Sequence, residues 1–267
     1  MKKVLMYLAV LLSVYGCQTV LENVPIPEIP QKAVVFGSIE VESLYHTLRV
    51  TKSKPILNNS TSSGFDAITD AQVTVTSGAQ IYTFTYSPAI ELYEYRGMID
   101  LSSGEAQLAV NTISLGTVTS RVAVPAKLGT YTLVVDSLVR EYETEYAVQF
   151  TLPASGSAAY YRLNGYSTYA TDTFLSYSTN EYHTNKTELN KELKVKSTFY
   201  KWDDKNGSSS DLYVRLSRIS EEYYKYGKAL ENYEPNNPFA EPIPLPNNVD
   251  GGLGVFGISR SKIIRIN

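Results

Sequence analysis

Apolar and polar side chains alternate with a period of two through most of residues 32–152, and no helical spacing takes over in that stretch. A strand sends successive side chains to opposite faces, so this alternation commits the chain to half-buried sheet. Ala33 to Ile39 reads as a buried strand and Leu44 to Thr51 as a second. Val73 and Val75 share one face, opposite Gln72, Thr74 and Thr76. After the Ser77-Gly78 turn, Tyr82, Phe84 and Tyr86 fall together. Gly129 opens a strand through Val135. Tyr142, Thr144, Tyr146, Val148 and Phe150 lie opposite Glu141, Glu143 and Glu145, which form a solvated face. Short strands at this spacing, joined by polar turns, predict a β-sandwich. Pro153 to Ser157 interrupts the pattern. It divides a sandwich over 32–152 from a second β-rich domain over 158–267.

That second part opens with the strand-like Ala159 to Leu163. Leu193, Val195 and Phe199 then share a face, and Leu212, Val214 and Leu216 return. The turn-forming residues Asp203 to Ser210 join these two strands as a hairpin loop. One short helix is predicted over about 221–232. Ser220 is its N-cap, Glu221 and Glu222 suit the positive end of its dipole, and Ile219 with Tyr224 forms a hydrophobic staple. Tyr223, Tyr226 and Leu230 fall on one face and are expected to pack on the sheet. Gly227 weakens a helix interior, so its presence predicts close approach to a strand.

The first residues read as a targeting segment. Lys2 and Lys3 precede an apolar run from Val4 to Val14, too short to span a bilayer as a mature helix. Val14-Tyr15-Gly16-Cys17 follows and resembles a bacterial lipoprotein signal, with Tyr15 bulkier than is usual there. Cys17 is the only cysteine and has no disulfide partner within the chain. Residues 1–16 are therefore expected to be removed and Cys17 to carry the lipid. Residues 17–31, with Pro25, Pro27 and Pro30, predict an extended tether.

The motifs Leu216-Ser217-Arg218-Ile219-Ser220-Glu221-Glu222-Tyr223-Tyr224, Asn237-Pro238-Phe239-Ala240-Glu241-Pro242 and Asn248 to Gly257 resemble the C-terminal signature of the DUF4249 family. The tyrosine-rich strands from Gly129 to Pro153 are similar to that family's N-terminal half. The resemblance covers most of the chain after Cys17. It implies a lipoprotein of the Bacteroidetes outer membrane with an immunoglobulin-like N-terminal sandwich. It also implies association with a TonB-dependent receptor, and it carries no catalytic residue. Only Glu22 supplies an acid near Cys17, so the face of the outer membrane stays open.

Other chemistry finds little support. Gly252-Leu253-Gly254-Val255-Phe256-Gly257 matches G-x-G-x-x-G, but the chain ends ten residues later in a strand-like run. The helix and acid that a dinucleotide needs have no place there. These glycines are expected to serve close backbone packing or a bulge. His46 and His183 are the two histidines, too few for a zinc site without cysteine. No G-x-S-x-G elbow supports a serine hydrolase. Asp203, Asp204 and Asn206 lack the complete calcium-loop pattern. The net charge of -3 provides no field for nucleic acid. These readings point to no enzyme, cofactor or metal.

Tyrosine is the compositional oddity, at 22 of 267 residues. Strands favour it and binding surfaces use it. Tyr93, Tyr95, Tyr166, Tyr169, Tyr177 and Tyr182 lie in the less regular stretches and are the candidate ligand or partner contacts, against the plainer reading that they pack internally. The expected role is that of an accessory or substrate-binding lipoprotein in receptor-mediated uptake. The alternative is a structural or adhesive surface lipoprotein.

Overall fold

A computed structural model describes residues 30–54, 65–102, 104–169, 172–175, 180–202, 210–233 and 243–266. Cys17, most of the tether, Tyr177 and the 203–209 loop lie outside them. Residues 31–267 form one compact unit. Its described residues are mostly β with one short helix.

The strands are β1 (Ala33–Glu40), β2 (Tyr45–Lys52), β3 (Gln72–Ser77), β4 (Gln80–Ser87), β5 (Leu92–Arg96), β6 (Glu105–Thr112) and β7 (Gly116–Ala123). There follow β8 (Thr132–Val139), β9 (Glu143–Leu152), β10 (Tyr160–Tyr169), β11 (Asp172–Leu175), β12 (Glu181–Thr184), β13 (Leu193–Trp202) and β14 (Asp211–Ile219). Helix α1 (Glu221–Glu231) and β15 (Leu253–Ile266) complete the described fold. Among the described residues, twelve strands make one sheet in the order β11-β10-β14-β15-β1-β2-β5-β4-β3-β6-β7, with β12 beside β10. A separate sheet runs β13-β9-β8.

Two cores result. In the first, Val35, Ile39, Leu48 and Tyr93 from one run of strands meet Val73, Val75, Leu108, Val110 and Val118 from the other. The alternation of β3 explains its contribution, since Val73 and Val75 are buried while Gln72 is exposed. In the second, Val148, Phe150, Val195 and Phe199 of the small sheet pack on Leu163, Leu212, Val214 and Leu216 of the large one.

This partition differs from the sequence division at 153–157. β9 pairs with β13 in complete register, from Leu152 opposite Leu193 to Glu143 opposite Trp202, and β8 pairs with the other edge of β9. They belong to the second core, and the first contains β1–β7. The Pro153 turn does break the chain, but strand partnership follows complementary apolar faces rather than chain order. The molecule is tied together by β15. Its first half pairs in parallel with β1 and its second half antiparallel with β14. Phe256 and Ile258 thus enter the first core, and Ile266 the second.

Candidate functional site

An apolar concavity lies on the outer face of β1, where the strand turns Ala33, Val35 and Ile39 inward. Val34 and Phe36 point the other way, and Phe36 is 41% exposed. Cross-strand register places Arg49 opposite Phe36 and Thr51 opposite Val34 on β2. On the other side, Leu253 pairs with Val34 and Gly254 with Val35. These residues floor a groove of about 490 Å³ walled by Phe65, Tyr226 and Leu245. A second compartment of about 320 Å³ continues past Phe36 and Arg49 to Leu92 and Tyr223.

Gly254 makes the floor possible. Its φ is +117°, and a Cβ there would lie 1.9 Å from the Val35 carbonyl oxygen. Gly252 would likewise meet the Ala33 carbonyl at 2.6 Å. The glycine run therefore serves close backbone packing at the entry of a strand, as the sequence indicated. The preceding loop is pinned by side-chain amides. Asn248 Nδ2 donates to Phe256 O (2.8 Å), and Asn248 Oδ1 accepts from Phe256 N (3.0 Å). Asn247 Nδ2 donates to the carbonyls of Val249 and Gly252.

Helix α1 builds the far wall. The Phe36 and Tyr226 rings lie 5.6 Å apart. Tyr223 sits on Gly257, where any Cβ would be 2.7 Å from its own. The Tyr223 hydroxyl accepts a hydrogen bond from Arg162 at 2.9 Å. Gly227, buried, receives the Tyr182 ring, which bears out the close approach expected there. Two other expectations for the helix are corrected. Leu230 is 41% exposed, so the packed face is Tyr223, Tyr226 and Gly227. Ser220 occupies the N-cap position but its hydroxyl accepts from Ile258 N (3.3 Å), tying the helix to β15 instead of capping it. The first turn is also held by charge. Lys225, 3.0 Å away, and the hydroxyl of Tyr160 hold the Glu221 carboxyl below its usual range, with Lys186 at 3.2 Å adding to this. Burial, with the bond to Glu221, pushes the Tyr160 phenol up to about 12.

Among the described residues Arg49 is the one cation of the groove's lining, and its side chain has no ion-pair or hydrogen-bond partner. A guanidinium beside aromatic walls can take one carboxylate or phosphate of a ligand whose body is apolar. A wider cleft of about 760 Å³ covers the outer face of the β8-β9-β13 sheet, lined by Asp136, Glu181, His183 and Lys196. Its lining mixes charges of both signs, and among the described residues it lacks an aromatic wall comparable to the groove's.

The tyrosines singled out in the sequence do not form one surface. Tyr93 is 1% exposed, and its hydroxyl donates to Ile68 O (2.8 Å) and accepts from Ala71 N (2.9 Å); it is a core residue, which removes it as a contact. Tyr95 packs on Tyr82, Phe84 and His46 at the edge of the first core. Tyr166 stacks on Tyr213 at 5.3 Å, and Tyr182 is packed under α1. Tyr169 lies on β10, opposite Asp172 of β11. The groove's own residues, Phe36, Arg49, Phe65 and Tyr226, escaped sequence reading. The signals were Phe36 at an outward position of an apolar run and Arg49 between the buried Leu48 and Val50.

A two-core β chain with a groove beside helix α1 is the class these observations define. The chain belongs to the DUF4249 family, described as a domain of unknown function, whose model matches residues 22–265. No curated protein matches significantly. Among solved structures, the chain is similar to the crystal structure of a DUF3823 family protein from Parabacteroides merdae ATCC 43184, with 7% identity. The match covers 72% of this chain and 92% of that one, with a TM-score of 0.17.

Proposed function

We propose that this protein is a lipid-anchored, ligand-binding accessory lipoprotein of a TonB-dependent uptake system in the outer membrane. The groove carries the reading. It is concave and apolar, within the roughly 300–1,000 Å³ usual for small-molecule sites, and its lining carries Arg49, whose side chain has no partner among the described residues. The ligand class it suits is a compact apolar or aromatic body bearing one acidic group. The anchor is Cys17, placed at the end of the apolar leader. Several acyl chains there would hold the protein firmly on a membrane. The tether would let the folded part reach a neighbouring receptor.

Crosslinking in intact cells followed by mass spectrometry tests the partnership, with a large β-barrel receptor expected in near-stoichiometric amount. Recovery of surface-layer components alone, with nutrient uptake unimpaired in a deletion strain, would favour the structural or adhesive alternative. Fatty-acid labelling tests the anchor: the wild type is expected to label and Cys17→Ser to remain unlabelled. Native mass spectrometry against extracts of the growth medium tests the groove. Arg49→Gln is expected to lose acidic ligands that the wild type retains, and equal retention by both proteins would count against the site.

A further inference from the structure

β8 is written like an interior strand yet occupies an edge. Its sequence, Thr132-Leu133-Val134-Val135-Asp136-Ser137-Leu138-Val139, contains one charge, no lysine and no proline. Its only strand partner among the described residues is β9, and no backbone bond satisfies its other side. Register assigns the faces. Leu133 and Val135 lie opposite Phe150 and Val148, on the side of the second core; Val134 and Asp136 lie opposite Gln149 and Ala147, on the outer side. Apolar residues stand exposed on both faces: Val134 at 50%, Val135 at 36%, Leu138 at 55% and Val139 at 74%. Edge strands are ordinarily blunted by lysine, proline, a bulge or covering chain, because their free backbone groups template further pairing. β8 contains no lysine, proline or bulge, and no covering chain lies on it among the described residues.

We infer that β8 is an assembly edge on which a second copy of this chain pairs, β8 against β8, antiparallel about a twofold axis at Val135. The pleat and the charge select this register. Opposed residues in one sheet must share a face, so the axis passes through a residue rather than between two. Two such axes keep seven residues of each strand paired: one at Val135, joining 132–138 to 138–132, and one at Asp136, joining 133–139 to 139–133. The second sets Asp136 against Asp136, an opposition of like charges. The first sets Asp136 against Val134, Leu133 against Ser137 and Val135 against its own copy. It makes the two small sheets one continuous six-stranded sheet and brings the exposed Val134, Val135 and Leu138 into the paired segment. The proposal does not rest on the groove, which is built on other strands.

The full chain carrying Cys17→Ser has no thiol, so single cysteines report the register. The expected results are a solution mass twice that of the chain by light scattering and, under mild oxidation, a disulfide-linked dimer from Val135→Cys. Directly opposed Cβ atoms lie within reach of a disulfide. Val139→Cys is more exposed but sits opposite Tyr131 in this register, and is expected to give no linked dimer. A monomeric mass at every concentration overturns the proposal. So does crosslinking of Val139→Cys equal to or exceeding that of Val135→Cys, since random collision favours the more exposed position.

Discussion

Gly254 and His46 show how single positions constrain this fold. At Gly254, positive φ and a carbonyl at Cβ distance act together, and Val35, which carries that carbonyl, is wholly buried and has no room to retreat. Gly254→Ala is expected to cost well over about 1 kcal/mol by denaturant titration. Gly104 also has positive φ, +81°, but nothing lies within 4 Å of its Cβ position, so Gly104→Ala should cost distinctly less. Equal losses would mean that backbone conformation, and not the Val35 contact, sets the requirement. His46 is 2% exposed, with Nε2 3.2 Å from Gly97 O, and burial lowers its pKa. The unfolded chain therefore binds this proton more readily than the folded one. Stability is complete above the ordinary histidine value of about 6.5 and falls as pH drops from there through the lowered value. Melting temperature measured from pH 7.5 to 5 should decline across that window, and His46→Gln should flatten the decline. A parallel decline in both proteins would assign it to other groups.

At the scale of elements, helix α1 is instructive because its period was read correctly and its direction was not. A spacing of three and four residues groups Tyr223, Tyr226 and Leu230, but it equally permits the neighbouring stripe of Tyr223 and Gly227. What decides between them is the Tyr182 ring on Gly227 and the contact of Tyr223 with Gly257, both distant in sequence. Leu230→Ala is accordingly expected within about 0.5 kcal/mol of wild type, as for other exposed positions. Gly227→Ala should destabilise despite alanine's better helix propensity, since its Cβ would lie 2.1 Å from the Tyr182 ring. Thermal melts of the two variants check the face, and a stabilised Gly227→Ala protein would refute it.

For the whole molecule, β15 is the element on which both cores depend. Removing residues from Leu253 onward takes the partner from β1 and from β14 at once, so neither core is expected to survive as a separate folded unit. Phe256, fully buried in the first core, should cost about 3–5 kcal/mol as Phe256→Ala. Because β15 is continuous, the loss should appear in one transition seen alike by far-ultraviolet dichroism and tyrosine fluorescence. Two separated transitions would show that the cores unfold independently. The period of two was enough to establish a mostly β chain and the inward faces of β3, β9, β13 and β14, because alternation is a local consequence of the pleat. The glycines of β15 were legible for the same local reason. Which strands become neighbours was not. The parallel pairing of β1 with β15, the association of β8 and β9 with β13 and the meeting of Phe36, Arg49 and Tyr226 join residues far apart in the chain. Such partnerships are settled by the packing of whole apolar faces, a quantity that exists only once the tertiary structure has formed.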